Sequence, residues 1–212
     1  MTDKKLYVVG SGAMGSGIAQ TAATHGIQVI MNDINEEFVA KGYNKIKKSL
    51  EKAVTKGRMT EEAKEEALAN LTTTVSLEDA KDADFVIEAA SENKEIKLGI
   101  FKQLDKICKP EAILASNTSS LPITEIAAAT ERPDQVIGTH FFNPVPAMKL
   151  LEIVMGLQTS ETTYQAALAL GEQLEKVPVK AIDKGGFIVN RLIDPFINEA
   201  VFMLEEGVGT AE

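Results

Sequence analysis

The feature that most constrains the fold is a glycine-rich turn between an apolar run and a helical pattern. Residues 10–15 read Gly-Ser-Gly-Ala-Met-Gly and directly follow the apolar run at 6–9. The helical pattern continues to His25, where Gly26 ends it, and a second apolar run follows at 28–31. This order of strand, turn, helix and strand predicts a βαβ unit with two parallel strands.

Each glycine of the turn has a separate task in such a unit. Gly10 permits the tight turn, Gly12 lets a pyrophosphate approach the backbone, and Gly15 lets the helix pack closely on the strand. Asp33 ends the second strand about 20 positions further on, where a carboxylate accepts hydrogen bonds from ribose hydroxyls and repels a 2′-phosphate. The pattern predicts a dinucleotide site that favours NAD over NADP, and a purely structural turn is the alternative.

Strand and helix signals continue to alternate beyond this unit. The predicted helices cover 36–56, 60–70, 94–108, a short segment after 122, and 161–175, and the predicted strands cover 85–87, 112–115, 136–139, 149–154 and 177–180. Such alternation predicts an α/β fold with a doubly wound, mainly parallel sheet of the Rossmann type.

The glycine pair at 185–186 marks the clearest boundary in the chain. We expect an NAD-binding domain over 1–183 and the first helix of an all-α domain over 184–212. That helix carries an apolar stripe formed by Ile188, Leu192, Phe196, Ala200 and Met203. Since the stripe needs a partner and only one helix follows the boundary, we expect the second domain to be truncated here.

Composition excludes several other classes of protein. The 212 residues are 44% hydrophobic and 25% charged, and no apolar run approaches the roughly 20 residues that span a bilayer. The N-terminus carries no signal-peptide pattern, so we expect a cytoplasmic protein. A formal net charge of −9 disfavours nucleic acid and membrane surfaces as partners. One cysteine and two histidines provide no metal-binding pattern.

One segment is basic, although the chain as a whole is acidic. Between 41 and 58 the chain carries seven basic residues against one acid, and helical spacing places five of them on one face: Lys41, Lys45, Lys48, Lys52 and Lys56. A basic face attracts a ligand with several phosphate charges, whereas an ordinary solvated face is the alternative. We favour the solvated alternative for Lys41, Lys45 and Lys52.

His140 is the candidate for acid–base chemistry. It follows the predicted strand at 136–139, at the carboxyl end where open α/β sheets bind ligands, and imidazole changes its protonation near neutral pH. Glu152 lies on the strand predicted to adjoin it, and Asn117 and Ser119 follow another strand end. Binding and catalytic residues are often found in loops at strand ends, so we expect these side chains to form one site.

Three longer segments resemble the signature segments of the 3-hydroxyacyl-CoA dehydrogenase family. They are 115–120 (Ala-Ser-Asn-Thr-Ser-Ser), 138–146 (Gly-Thr-His-Phe-Phe-Asn-Pro-Val-Pro) and 186–191 (Gly-Phe-Ile-Val-Asn-Arg). The resemblance extends over essentially the whole chain. It implies NAD-dependent interconversion of (S)-3-hydroxybutyryl-CoA and acetoacetyl-CoA, in fatty-acid or butanoate metabolism, by a homodimer or higher homo-oligomer.

The resemblance also implies roles for individual residues. His140 matches the general base or acid, Glu152 the carboxylate that orients it, and Ser119 and Asn190 the substrate-orienting residues. Besides Gly10, Gly12 and Gly15, the positions that match cofactor contacts are Asp33, Glu92, Lys97, Ser119 and Asn143. The positions that match contacts to the CoA substrate are Ser49, Lys56 and Ser119.

Two alternatives stay open at this point. An NAD-binding protein without catalysis would use the same fold, although all four catalytic positions are occupied. A dehydrogenase of a free hydroxy acid would use the same chemistry, although the lysine face and Ser49 argue for a CoA substrate.

Overall fold

The predicted strands assemble into one eight-stranded sheet in the computed structural model, which describes residues 4–211. The strands are β1 (Lys5–Val9), β2 (Gln28–Asn32), β3 (Leu71–Thr74), β4 (Phe85–Glu88), β5 (Ile113–Ser116), β6 (Val136–Phe141), β7 (Leu150–Met155) and β8 (Val177–Ile182). Their spatial order is β3-β2-β1-β4-β5-β6-β7-β8, and all neighbours are parallel except β6 and β7. The predicted doubly wound, mainly parallel sheet of the Rossmann type is confirmed.

Helices connect most of the parallel strands. They are α1 (Ala13–Thr24), α2 (Glu36–Thr55), α3 (Glu61–Ala69), α4 (Lys94–Ile107), α5 (Ile123–Ala127), α6 (Glu161–Gln173) and α7 (Val189–Glu205). Four of them begin at a side chain that accepts a hydrogen bond from a backbone N–H three residues on, namely Asn35, Thr60, Asn93 and Ser160. The N-cap predicted at Thr60 is confirmed.

The core lies on both faces of the sheet, because the helices cover both. Along β1, Leu6 and Val8 belong to the apolar cluster under α1 and α2, whereas Tyr7 and Val9 belong to the cluster under α4 and α5. Alternate residues of a strand point to opposite faces, so a strand buried on both sides is a continuous apolar run. This packing leaves the carboxyl edge of the sheet for loops.

The sequence interpretation missed one strand and ended the strand that carries His140 too early. β3 carries a single apolar residue, Leu71, followed by three threonines, because it is a partly exposed edge strand beside β2. His140 was expected to follow its strand but lies within β6, which extends to Phe141 because both residues pair with β7. The histidine is therefore held by a strand ladder rather than by a loop.

The last helix stands apart from the core. After β8 the chain turns through Gly186 (φ +75°) and Phe187 (φ +47°), and α7 buries none of its residues. Leu192 and Phe196 are 71% and 75% exposed, so the apolar stripe is solvent-exposed. The domain division at 183/184 stays a prediction. None of the helices within residues 4–211 has the length and apolar character needed to cross a membrane.

Candidate active site

The glycine turn has the geometry that a dinucleotide site requires. Gly10 adopts φ +100°, and a Cβ there would lie 2.6 Å from the carbonyl oxygen of Ala89. A Cβ on Gly15 would lie 1.9 Å from the Gly10 carbonyl oxygen, so only glycine lets α1 begin this close to β1. At Gly12 an added Cβ would meet nothing within 4 Å. The backbone there is open to a ligand at the N-terminus of α1.

A cavity of about 740 Å³ opens over this turn, and Gly10, Gly12 and Asp33 line it. Oδ2 of Asp33 accepts hydrogen bonds from the backbone N–H and the hydroxyl of Ser11, at 2.7 and 2.6 Å. These contacts fix the carboxylate beside the turn. The apolar residues Ile34, Phe38, Ile96 and Ile100 line the same cavity. An apolar cleft with a carboxylate at one side and free amide donors at the other fits an adenosine and its pyrophosphate.

Two residues of the basic helix face belong to this cavity. Lys41 and Lys45 line it, although the sequence interpretation favoured a solvated role for both. By contrast, Ser49 lies further along α2 and Lys56 directly follows its last residue. Both are exposed and line neither this cavity nor the next one. The structure therefore does not bring the two expected CoA contacts to the cavities that hold the other site residues.

A second cavity, of about 420 Å³, shares Met14, Ala89 and Ala90 with the first. It gathers most of the remaining residues singled out in the sequence, which are Glu92, Lys97, Asn117, Ser119, His140, Asn143 and Asn190. These residues come from the ends of β4, β5 and β6, from α4 and from the start of α7. The topology thus brings five segments that are distant in the sequence into one cavity lining.

His140 and Glu152 form the central pair of the site. They are directly opposed in the antiparallel ladder of β6 and β7, and Nδ1 of His140 lies 2.6 Å from Oε2 of Glu152. Glu152 is only 1% exposed, so it is a buried partner of the imidazole and not a surface carboxylate. Because an ionised carboxylate only accepts hydrogen bonds, Nδ1 donates, and Nε2 is the ring nitrogen that remains for a substrate proton.

The start of α7 holds the other oxygen of Glu152. The backbone N–H groups of Ile188 and Val189 donate to Oε1 at 2.9 and 3.0 Å, and an anion at a helix N-terminus is stabilised by these free donors. Phe187 packs its ring edge against the imidazole of His140 at 5.6 Å between centroids. The segment after the glycine pair therefore builds the site together with the sheet.

A polar network holds the opposite wall of the second cavity. Glu92 Oε1 accepts hydrogen bonds from the hydroxyls of Thr118 and Ser120 and from the backbone N–H of Ser119. Its Oε2 lies 3.2 Å from the ammonium group of Lys97. Burial alone would raise the pKa of Glu92, but the Thr118 hydrogen bond and the Lys97 charge outweigh burial and lower it. Glu92 is therefore ionised at neutral pH.

Sequence reasoning missed one member of this network. Glu88 is fully buried and accepts two hydrogen bonds from Lys97, at 2.8 and 3.0 Å. Glu88 directly follows the strand predicted at 85–87, and a lone acid there carries no signal of its partner nine residues on. The nearest available signal was a charged residue directly after an apolar strand, because such a charge is buried only when it is paired.

Comparison with known proteins gives an independent line of evidence. The NAD binding domain of 3-hydroxyacyl-CoA dehydrogenase matches residues 5–184, and the C-terminal domain of the same family matches residues 186–212. A probable 3-hydroxybutyryl-CoA dehydrogenase of Bacillus subtilis is 50% identical over all of this chain and 74% of that protein. A 3-hydroxyadipyl-CoA dehydrogenase of Escherichia coli is 43% identical over 98% of this chain and 44% of that protein.

A solved structure gives the same result. The crystal structure of an (S)-3-hydroxybutyryl-CoA dehydrogenase from Ralstonia eutropha superimposes with a TM-score of 0.96 at 47% identity, over 98% of this chain and 74% of that one. The Rossmann sheet, the dinucleotide cavity and the adjoining histidine define an NAD-dependent dehydrogenase. The chain belongs to the 3-hydroxyacyl-CoA dehydrogenase family.

Proposed function

We propose that this chain interconverts (S)-3-hydroxybutyryl-CoA and acetoacetyl-CoA with NAD as its cofactor. The observation that carries the proposal is the His140–Glu152 pair, which lies at a cavity that shares lining residues with the one over the glycine turn. The alternative of an NAD-binding protein without catalysis is not favoured, because the relatives at 45–50% identity are dehydrogenases by name. The free hydroxy-acid alternative is not favoured for the same reason.

In the oxidation, His140 acts as the general base. NAD, when bound, accepts the hydride from C3 of the substrate. Nε2 of His140 takes the proton of the 3-hydroxyl, so the C3 alcohol becomes a ketone and the imidazole becomes an imidazolium ion. Glu152 stabilises that positive charge through Nδ1. In the reduction, the protonated His140 returns the same proton to the new hydroxyl oxygen.

Ser119 and Asn190 are proposed to orient the substrate. Both line the cavity beside His140, and the Asn190 amide lies 3.5 Å from the Ser119 carbonyl oxygen. Their side chains come from different segments, so the substrate carbonyl would be held from two directions. Oriented donors near a developing oxyanion stabilise the transition state more than the ground state.

The remaining predicted contacts divide between the two cavities. We assign the adenosine and pyrophosphate of NAD to the first cavity, beside Gly10, Gly12, Gly15 and Asp33. We assign the nicotinamide end to the second, beside Glu92, Lys97, Ser119 and Asn143. The supporting observation is that all but Gly15, which packs under the turn, line the cavity to which they are assigned.

The two proposed CoA contacts lie outside both cavities. Ser49 on α2 and Lys56 at its C-terminal end are exposed. We therefore assign them to the phosphates of CoA, which lie far from C3 of the acyl group. Replacing Lys56 with alanine is expected to raise KM for acetoacetyl-CoA several-fold and leave kcat unchanged. Lys102→Ala, on the exposed side of α4, is the matched control. Equal KM values in the two variants would remove Lys56 from the site.

One assay separates the two candidate activities, a dehydrogenase of acyl-CoA substrates and a dehydrogenase of a free hydroxy acid. NADH oxidation is measured with acetoacetyl-CoA, with free acetoacetate, and with NADPH in place of NADH. We expect turnover with acetoacetyl-CoA and NADH, and at least tenfold lower kcat/KM with either replacement. A longer substrate, such as a dicarboxylic 3-ketoacyl-CoA, tests the substrate class named for the E. coli relative. Equal turnover of free acetoacetate would contradict the proposal.

The oligomeric state and the domain division are part of the same proposal. We propose that residues 1–183 form the NAD-binding domain and that 184–212 begin a helical domain which mediates a homodimer or higher homo-oligomer. The support is the exposed apolar stripe of α7, which includes Leu192 and Phe196. Light scattering should show self-association, and a strictly monomeric species at high concentration would contradict it.

The cytoplasmic location stays a prediction that cell fractionation can test.

A further inference from the structure

Glu88 is a fully buried acid to which the proposed chemistry gives no role. It ends β4, directly below the loop that lines both cavities. Its carboxylate accepts hydrogen bonds from Lys97 Nζ, from the hydroxyl of Ser116 at 2.7 Å, and from the backbone N–H of Ala90 at 2.7 Å. A charge buried this completely needs several partners to offset its lost hydration, and Glu88 has them.

The ammonium group of Lys97 connects Glu88 to the cavity. Lys97 is 1% exposed and also lies 3.2 Å from Glu92 Oε2, whose side chain is 39% exposed and lines the second cavity. The cluster therefore holds two carboxylates and one ammonium group, which leaves an excess of one negative charge. Among the lining residues of this cavity that the structure describes, Lys97 is the only lysine or arginine.

This excess charge has a direct consequence for a nicotinamide ring. The oxidised ring carries a positive charge and the reduced ring is neutral. A fixed negative charge beside the ring therefore stabilises the complex with the oxidised dinucleotide more than the complex with the reduced one. The His140–Glu152 pair on the other wall does not cancel the excess, because it carries no net positive charge in either protonation state.

We propose that the Glu88–Lys97–Glu92 cluster biases this site toward the oxidised dinucleotide, and that the charge of the buried Glu88 is required for this excess of negative charge. Glu88 does not line the cavity, so it is a positioning residue whose charge acts together with those of Lys97 and Glu92. The inference rests on the proposed function, which places the nicotinamide end in this cavity. It goes beyond that function because it assigns a role to a residue outside both cavities.

The first test removes the charge of Glu88 and keeps its shape. In Glu88→Gln, Lys97 and Glu92 balance each other. We expect Kd for NAD+ to rise roughly tenfold, because a unit charge acts over a distance of about 10 Å at an effective dielectric constant near 20. Kd for NADH should change by less than about twofold. Both constants are measured by titration calorimetry without substrate, so the result does not depend on turnover. Equal weakening of both dinucleotides would overturn the proposal.

A second variant guards against a folding defect, because breaking a buried ion pair can unfold a protein. Glu92→Gln also reduces the excess charge to zero but leaves the Glu88–Lys97 pair intact. It should raise the ratio of the two Kd values, NAD+ over NADH, in the same direction as Glu88→Gln. An unchanged ratio in Glu92→Gln would overturn the proposal even if Glu88→Gln does not fold.

A double variant separates charge from geometry. Glu88→Gln with Lys97→Met removes the buried pair, but Glu92 still supplies one negative charge. If charge sets the preference, the ratio of Kd for NAD+ to Kd for NADH returns to within about threefold of its wild-type value. A ratio that stays at the Glu88→Gln value would overturn the proposal. Asp105→Asn breaks a partly buried ion pair with Arg132 elsewhere in the fold and should leave the ratio unchanged. A wild-type chain that binds neither dinucleotide would overturn the proposed function as well.

Discussion

Nδ1 of His140 lies 2.6 Å from Oε2 of Glu152, and the two residues occupy opposed positions on β6 and β7. The antiparallel step in an otherwise parallel sheet produces this pairing, because it brings β7 back alongside β6 with matched side chains on the same face. The backbone N–H groups at the start of α7 hold the second oxygen of Glu152. The imidazole is thus oriented by the pairing of β6 with β7 and, through Glu152, by the N-terminus of α7.

Replacing Glu152 with glutamine should impair proton transfer more than binding. The amide cannot stabilise the imidazolium form of His140, so we expect kcat to fall by about 10²-fold, while Kd for NADH changes little. Steady-state kinetics and NADH binding measure the two effects. Glu161→Gln, on the exposed start of α6, is the control. A kcat within twofold of wild type would exclude Glu152 from the chemistry.

Two helical glycines make a matched pair for testing the first cavity. A Cβ on Gly42 would lie 2.7 Å from both Cβ and the carbonyl oxygen of Ser11, whereas a Cβ on Gly99 would meet nothing within 4 Å. Gly42→Ala should therefore push α2 away from the glycine turn, lower Tm and weaken NAD+ binding. Gly99→Ala should raise stability by roughly 0.5–1 kcal/mol. Thermal melts and NAD+ titrations of both variants test this, and similar results for the two would contradict it.

The lowered pKa of Glu92 predicts how stability depends on pH. Its pKa in the folded protein lies below the ordinary value of 4.5, so the folded state binds the proton less readily than the unfolded state. The resulting stabilisation is present above pH 4.5 and is lost as the pH falls through the folded-state pKa. Urea unfolding should show that the stability difference between wild type and Glu92→Gln shrinks between pH 5 and pH 3. A constant difference would contradict the pKa assignment.

The thiol of Cys108 should resist alkylation in the folded protein. Cys108 is 5% exposed, and burial raises its pKa to about 11. At pH 8 only about 0.1% of the thiol would then be ionised, and the thiolate is the reactive form. Iodoacetamide should label the unfolded chain within minutes and leave the native chain unlabelled. Rapid labelling of the native chain would show that Cys108 lies in a segment that opens.

Much of this architecture was accessible from the sequence because strong local signals coincide with it. The apolar runs predict the strands, the glycine turn predicts the first βαβ unit, and Thr60 predicts the start of α3. The adjacency of His140 and Glu152 follows from the order of two neighbouring strands. β3 was missed because an exposed edge strand of threonines needs no apolar run.

Charged side chains were the least predictable part of the site. The burial of Glu88 and Lys97 depends on how α4 packs across β4, which local sequence does not encode. Lys41 and Lys45 look like solvated charges on a helix face, and only the placement of α2 beside the glycine turn brings them to the first cavity. The contact of α7 with Glu152 likewise required the three-dimensional path of the chain after Gly186.

The most direct test of the account is the rate of NADH oxidation by acetoacetyl-CoA in wild type and in His140→Ala, with Kd for NADH measured on both. We predict that the variant binds NADH within about twofold of wild type and that its kcat falls by about 10²- to 10⁴-fold, because only the proton transfer is removed. A variant that retains wild-type turnover would show that His140 is not the acid–base residue of this site.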